Sequence, residues 1–119
     1  MPYREGEISE ALLRLRRFCP YFRDANAVKI LTWVERDCAH LRESLTMVKD
    51  KELVKKDFAK LYWTVLELYA KLEAEEIIKG DKFEKDLLLE LHLRKPYVFN
   101  GENVTKERAR EIFYESITR

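Results

Sequence analysis

Two long stretches of the chain repeat apolar residues in alternating steps of four and three, and this repeat constrains the fold more than any other feature. Such heptads are typical of helices that pack along their length. The first stretch is residues 25–47, and its repeat extends one residue further. The repeat consists of Ala27, Leu31, Val34, Cys38, Leu41, Leu45 and Val48. In the second, residues 51–79, it consists of Val54, Phe58, Leu61, Val65, Leu68 and Leu72.

The two repeats are out of phase with each other. Continuing the first repeat beyond Val48 leads to Glu52 and Lys55, which are both charged. A turn at residues 49–51 that folds the two helices into an antiparallel hairpin explains this change of phase. One long helix with a stutter in its repeat is the alternative, since no Gly or Pro marks the turn.

Shorter helices are predicted on either side of the hairpin, over residues 6–18, 83–93 and 106–117. Pro20 ends the first of them, and Asp24 is the predicted N-cap of the 25–47 helix. Gly80 is expected to close the 51–79 helix, and Thr105 to cap the 106–117 helix. The Asn-Gly pair within residues 97–104 permits either a small β-hairpin or a structured loop.

These elements predict an all-α fold, a helical bundle of about five helices built on the long antiparallel hairpin. The chain has 119 residues, 46% of them apolar, and a net charge of +1, which suits a single folded domain over residues 1–119. No apolar run is long enough for a membrane span, and residues 1–7 are too polar for a signal peptide. A cytoplasmic location is therefore expected, without membrane association.

The amide content of the chain is unusually low. It contains no Gln and only three Asn, together with many charged residues (38% Asp, Glu, Lys and Arg). Proteins of thermophiles show this combination, because ion pairs cost less to desolvate at high temperature and amides are thermolabile. The composition therefore predicts a thermophilic source.

Residue patterns typical of catalysis or metal binding are scarce. The only histidines are His40 and His92, and although Asp37 lies one turn before His40, no second pair of this kind completes a metal site. Cys19 and Cys38 form no CxxC motif and are expected to be unbridged. The sequence therefore predicts no catalytic residues, no metal and no cofactor, and hence a protein that is not an enzyme.

The 51–79 helix is apolar around most of its circumference. Its polar residues between positions 57 and 71 form one narrow stripe of Asp57, Lys60, Thr64, Glu67 and Lys71. Either the other helices surround the remaining surface, or a second copy of the chain covers part of it. The second interpretation gives the favoured function, a non-enzymatic interaction or assembly module. Its predicted oligomer interface consists of Tyr62, Trp63, Leu66 and Tyr69.

Arginines alternate with aromatic residues near the N-terminus. The basic residues are Arg14, Arg16, Arg17 and Arg23, and the aromatic ones are Phe18, Tyr21 and Phe22. Arginine can bind phosphate while an aromatic ring stacks on a base. A small nucleic-acid-binding accessory protein that uses this patch is therefore the alternative function.

Overall fold

A computed structural model describes residues 5–118 and shows an all-helical fold. The chain is 85% helical and forms seven α-helices, with no strand in the part that is described, which confirms the predicted fold class. Its contacts divide it into two compact units, Met1–Ile77 and Ile78–Arg119. The single domain expected over residues 1–119 stays a prediction.

The first unit is built on the predicted hairpin. Helices α3 and α4 make most of its contacts between elements, and a tight turn joins them. The hairpin is therefore confirmed, and one long helix with a stutter is excluded. The elements of this unit are α1 (Glu5–Phe18), α2 (Pro20–Asp24), α3 (Ala27–Glu43), a π-helical turn (Ser44–Val48) that continues α3, and α4 (Lys51–Ala74).

Two residues make the turn of the hairpin. Lys49 adopts the left-handed conformation with φ of 57°, and its N–H donates to the Ser44 carbonyl at 2.8 Å. Asp50 then caps α4, since its side chain accepts a hydrogen bond from the Glu52 N–H at 2.9 Å. A positive φ followed by an Asp cap ends one helix and starts the next without Gly or Pro.

Replacing Lys49 with Gly should raise the free energy of unfolding by about 0.5 kcal/mol. A left-handed conformation costs an L-residue about 1–2 kcal/mol, and the entropy that Gly loses on folding offsets part of that gain. Chemical denaturation measures the change. Lys56→Gly, within α4, is the control and should lower the free energy by about 1 kcal/mol; a loss of stability in both variants would contradict the expectation.

The α3 helix begins later than predicted. Pro20 starts the separate short helix α2, which the Cys19 side chain caps by accepting a hydrogen bond from the Phe22 N–H at 3.5 Å. Asn26 is the N-cap of α3 and accepts from the Lys29 N–H at 2.8 Å. The prediction of Asp24 as this cap was wrong, because Pro suits a first helical position and the chain forms an extra turn of helix there.

The α4 helix ends earlier than predicted, at Ala74. Glu76 adopts a left-handed conformation with φ of 61°, and the Ile77 N–H donates to the Leu72 carbonyl. Acidic residues near a helix C-terminus oppose the helix dipole, which favours this early end. Gly80 is the first residue of α5, so the prediction that it closes the preceding helix was wrong.

The second unit contains α5 (Gly80–Arg94), α6 (Pro96–Asn100) and α7 (Lys106–Ile117), with α5 packed against both of the others. Thr105 caps α7 as predicted, accepting from the Arg108 N–H at 3.1 Å. Gly101, with φ of 66°, ends α6. The Asn-Gly pair therefore terminates a short helix, and a β-hairpin at residues 97–104 is excluded.

The hairpin buries only part of the face that the apolar repeat predicts: Val34, Leu41 and Leu61 are half-buried, but others in the repeat are exposed. On α3 and its π-helical turn the buried residues are Ile30, Asp37 and Ser44, and on α4 they include Asp57, Thr64 and Lys71. Leu31, Cys38 and Leu45, which were expected to face inward, are exposed. Both sets repeat every seven residues, so the period alone does not decide which face is buried.

The buried apolar core lies at the end of the hairpin that is distant from the turn. It consists of Phe22, Ile30 and Ala70. Partly buried side chains that pack against it are Leu12, Leu15, Cys19, Ala25, Trp33 and Leu68. The ammonium of Lys71 lies 4.4 Å from the centre of the Phe22 ring, which lets this buried lysine interact with the ring face. The short helix α2 is therefore held to the hairpin by Phe22.

Candidate functional site

The hairpin brings together two acidic side chains that are distant in sequence. Asp37 on α3 is buried, and Glu67 on α4 is half-buried. The charge of Asp37 acts on Glu67, and the Arg36 Nε donates to Asp37 Oδ1 at 3.3 Å. The Trp63 side chain is hydrogen-bonded to Glu67. We refer to Asp37 and Glu67 as the carboxylate pair.

Burial has the largest effect on Glu67 and raises the pKa of its carboxyl group. The hydrogen bond from Trp63 lowers that pKa, the charge of Asp37 raises it, and the charge of Arg36 lowers it, with a net upward shift. A carboxylate with a raised pKa accepts a proton more readily near neutral pH than an ordinary one. The pair therefore has the chemistry required of a general base.

The raised pKa also makes the stability of the fold depend on pH. The folded chain holds the Glu67 proton to a higher pH than the unfolded chain does, so stability falls as pH rises from the unfolded pKa through the folded pKa. Glu67→Gln, which stays neutral, should be more stable than the wild type at pH 7 and no more stable at pH 3.

Thermal unfolding across pH measures this dependence. Glu102→Gln, at an exposed glutamate in the second unit, is the matched control and should follow the wild type at every pH. A constant difference between Glu67→Gln and the wild type from pH 3 to pH 7 would contradict the expectation.

An apolar groove of about 970 Å³ lies between α1 and α4. It contains three residues of the predicted oligomer interface, namely Tyr62, Trp63 and Leu66. Tyr62 is 57% exposed, whereas the other two are half-buried. Tyr69, the fourth predicted residue, is also half-buried and donates its hydroxyl to the Glu73 carboxylate at 3.4 Å. The structure therefore brings three of the four residues into one surface.

Three of the four arginines in the predicted nucleic-acid patch have a partner within the chain, and one of these partners, Glu73, lies on another helix. Arg14 forms an ion pair with Glu10 at 3.3 Å, and Arg16 forms one with Glu73 at 3.4 Å. The Arg17 guanidinium lies 5.4 Å from the centre of the Phe18 ring, and Arg23 belongs to α2. Phe22 belongs to the core, so the expectation that its ring joins this patch is corrected.

Metal ligands do not cluster in residues 5–118. No group of three or more His, Cys, Asp or Glu side chains in this range is placed to hold a metal ion. Cys19 and Cys38 are free thiols, half-buried and exposed respectively. None of the described helices is both long and apolar enough to cross a membrane.

Comparisons with known proteins identify the fold but not a family. No protein family model matches the sequence, and no curated protein does. The crystal structure of a mazG-related protein from Thermotoga maritima superimposes with a TM-score of 0.84. The two sequences are 18% identical, and the similarity covers 96% of this chain and 99% of that one.

This structural similarity contradicts the prediction that the chain is not an enzyme. The prediction was wrong because it took the absence of a contiguous catalytic motif as decisive. In a helical hairpin, polar side chains from distant positions meet across the two helices, as Asp37 and Glu67 do here.

Proposed function

We propose that the chain hydrolyses a nucleoside triphosphate to a nucleoside monophosphate and pyrophosphate. The observation that carries this proposal is the carboxylate pair, two acidic side chains brought together from the two helices of the hairpin. The fold shared with the mazG-related protein supports it, because MazG-like helical domains are nucleoside triphosphate pyrophosphohydrolases and the similarity covers 96% of this chain.

Glu67 is the proposed general base. It accepts a proton from a water molecule whose oxygen attacks the α-phosphorus. The bond between this phosphorus and the oxygen that bridges to the β-phosphorus breaks, and pyrophosphate leaves with that oxygen. Asp37 raises the proton affinity of Glu67, and the Trp63 hydrogen bond orients its carboxylate.

Arg36 supplies positive charge beside the carboxylate pair. Its side chain is more than half exposed, so it can reach a phosphate group in solution while its Nε remains hydrogen-bonded to Asp37. Arginine binds phosphate through paired N–H donors, which holds the phosphate in a defined orientation. We assign Arg36 to binding of the triphosphate.

Enzymes that cleave nucleoside triphosphates commonly use Mg²⁺ to neutralise the phosphates. Such an ion takes oxygen ligands, and one or two carboxylates usually contribute to its site. The side chains of residues 5–118 do not fit a metal site held by one chain, because no three potential ligands converge. We therefore assign no step to a metal ion.

Product analysis tests the proposed reaction. The purified chain is incubated with each common ribonucleoside and deoxyribonucleoside triphosphate, with and without Mg²⁺, and pyrophosphate and orthophosphate are measured separately. We expect pyrophosphate and the monophosphate in equal amounts. Release of orthophosphate instead, or no product from any nucleotide, would exclude the proposed activity.

We also propose that the chain self-associates through the surface that contains Tyr62, Trp63, Leu66 and Tyr69. The exposure of Tyr62 beside an apolar groove supports this, since aromatic residues are enriched at the centres of interfaces. Sedimentation velocity should then give twice the 14.3 kDa mass of one chain. A single species of monomer mass at 100 µM would exclude self-association.

Nucleic-acid binding remains the alternative proposal for the N-terminal arginines. The residues that support it are Arg23, which has no ion pair with any described residue, and the exposed Phe18 and Tyr21. Electrostatic binding to nucleic acid is strongest at low salt. A gel-shift assay with RNA and DNA at low salt is the test, and no shift would exclude the alternative.

A further inference from the structure

The imidazole of His40 lies close to the carboxylate pair and has no role in the fold. It is exposed on α3, three residues after the buried Asp37. Among residues 5–118, no side chain forms an ion pair or a hydrogen bond with it. An imidazole donates at least one N–H in either protonation state, so it can bind an anion. His40 therefore offers a hydrogen-bond donor beside the proposed site.

Arg36 and His40 lie on the same side of α3. Each residue of an α-helix is rotated by about 100° and raised by about 1.5 Å relative to the one before it. Measured from Asp37, Arg36 is rotated by about 100° and His40 by about 60° in the same direction, and they are about 6 Å apart along the helix axis. Residues four apart are neighbours on a helix surface. The two side chains can therefore bind one ligand together.

Glu67, Arg36 and His40 follow one another along the hairpin. The charge of Arg36 acts on Glu67, so Glu67 lies near the side of α3 that carries Arg36. Glu67 is 17 residues from Asp50 in the turn, Arg36 is 14 and His40 is 10. Because α3 and α4 are antiparallel, this is also their order toward the turn. A phosphate chain that starts at Glu67 with its α-phosphorus and extends toward the turn therefore reaches Arg36 first and His40 next.

We propose that Arg36 and His40 together bind the β- and γ-phosphates, the two that leave as pyrophosphate. The inference rests on the proposed hydrolysis and names the residues that hold its leaving group. The terminal nitrogens of Arg36 donate to one phosphate, since its Nε is hydrogen-bonded to Asp37, and the imidazole of His40 donates to the other. His40 binds the phosphate and takes no part in bond breaking.

An acidic residue beyond His40 limits the length of the phosphate chain. Glu43 is exposed three residues after His40, and it is rotated from Asp37 by about 120° in the direction of Arg36. Its carboxylate lies on the same side of α3 and repels a further phosphate, because both are negatively charged. Two donors followed by a carboxylate suit a phosphate chain that ends at the γ-phosphate.

Binding of inorganic pyrophosphate tests the site without any reaction. Isothermal titration calorimetry at low salt, with a chelator present, measures its dissociation constant. His40→Ala and Arg36→Ala should each raise this constant about 10-fold or more, because a hydrogen bond to a charged phosphate is lost. Arg42→Ala is the matched control: Arg42 is exposed on the same helix but is rotated by about 140° from Asp37 in the opposite direction, so binding should persist. Equal weakening by His40→Ala and Arg42→Ala would overturn the proposal. Circular dichroism checks that each variant is folded.

The two histidines of the chain allow a second measurement on the unsubstituted protein. His92 belongs to the second unit, where its ring stacks on Phe99 with 3.5 Å between the ring centres. Pyrophosphate should shift the NMR signals of the His40 ring protons and leave those of His92 in place. The spectrum of His40→Ala assigns the signals. A titration that shifts neither histidine, or both equally, would overturn the proposal.

The outcomes separate this inference from the hydrolysis on which it rests. A chain that binds pyrophosphate through Arg36 and His40 but hydrolyses no nucleotide retains the binding site and excludes the reaction. A wild-type chain that releases pyrophosphate from a nucleotide, with a His40→Ala variant that binds pyrophosphate as tightly as the wild type, gives the opposite result. The reaction would then stand, and the assignment of His40 would be overturned.

Discussion

Phe22→Ala should lower the free energy of unfolding of the first unit by about 3–5 kcal/mol. The Phe22 ring is 2% exposed, packs in the core with Ile30 and lies under the Lys71 ammonium. Its removal leaves a cavity and also deprives the buried lysine of the ring. Since small domains are stable by only about 5–15 kcal/mol, this loss is a large fraction of the total.

The neighbouring residue supplies the control for this variant. Tyr21 precedes Phe22 on the same short helix and is highly exposed, so Tyr21→Ala should change the free energy by less than about 0.5 kcal/mol. Urea denaturation followed by circular dichroism measures both variants. Similar losses would indicate that α2 contributes through its backbone and not through the Phe22 ring.

Glu67→Gln should reduce the rate of pyrophosphate release by about 10²–10⁴-fold if the proposed hydrolysis occurs, which is the usual contribution of a general base. The amide preserves the size of the side chain and can still accept the Trp63 hydrogen bond, but it cannot take a proton from water. The variant should also be folded, because its loss of charge relieves the cost of burial.

Two further measurements show whether Glu67 acts in the reaction or only shapes the site. Glu102→Gln, the exposed control, should retain the wild-type rate. The wild-type rate should fall as pH decreases through the raised pKa of Glu67, and this acid limb should disappear in Glu67→Gln. An unchanged pH profile in the variant would exclude Glu67 as the base.

The sequence was sufficient to predict the hairpin but not which residues of the predicted face are the most deeply buried. The turn was predicted from the change of phase after Val48, which depends only on the periodicity of the two helices. Both helices form in the structure, so this prediction holds. The face is decided by packing between the helices, where Asp37 and Thr64 occupy positions that hydrophobicity alone assigns to solvent. The start of α7 was predicted correctly because a single local feature, the Thr105 cap, decides it. The start of α3 at Asn26 was missed because the extra short helix α2 precedes it.

The carboxylate pair was not predicted from the sequence for a related reason. Asp37 and Glu67 are separated by thirty positions. In the sequence, Asp37 belongs to an incomplete metal motif with His40, and Glu67 belongs to the polar stripe of the 51–79 helix. Their proximity follows only from the register of the hairpin. A search for acidic residues at similar distances from the predicted turn would nearly have paired the two. Asp37 lies 13 residues before Asp50, and Glu67 lies 17 residues after it.

The polar residues between α3 and α4 also determine how the hairpin can misfold. Asp37 and Thr64 lie at nearly equal distances from the turn, so they share one level. Sliding α4 by one heptad along α3 would bring Asp57 to that level and place two carboxylates together away from water, which is costly. A seam of leucines would tolerate such a slide, since every level is then equivalent. The buried polar side chains thus oppose a slide of the hairpin in this direction.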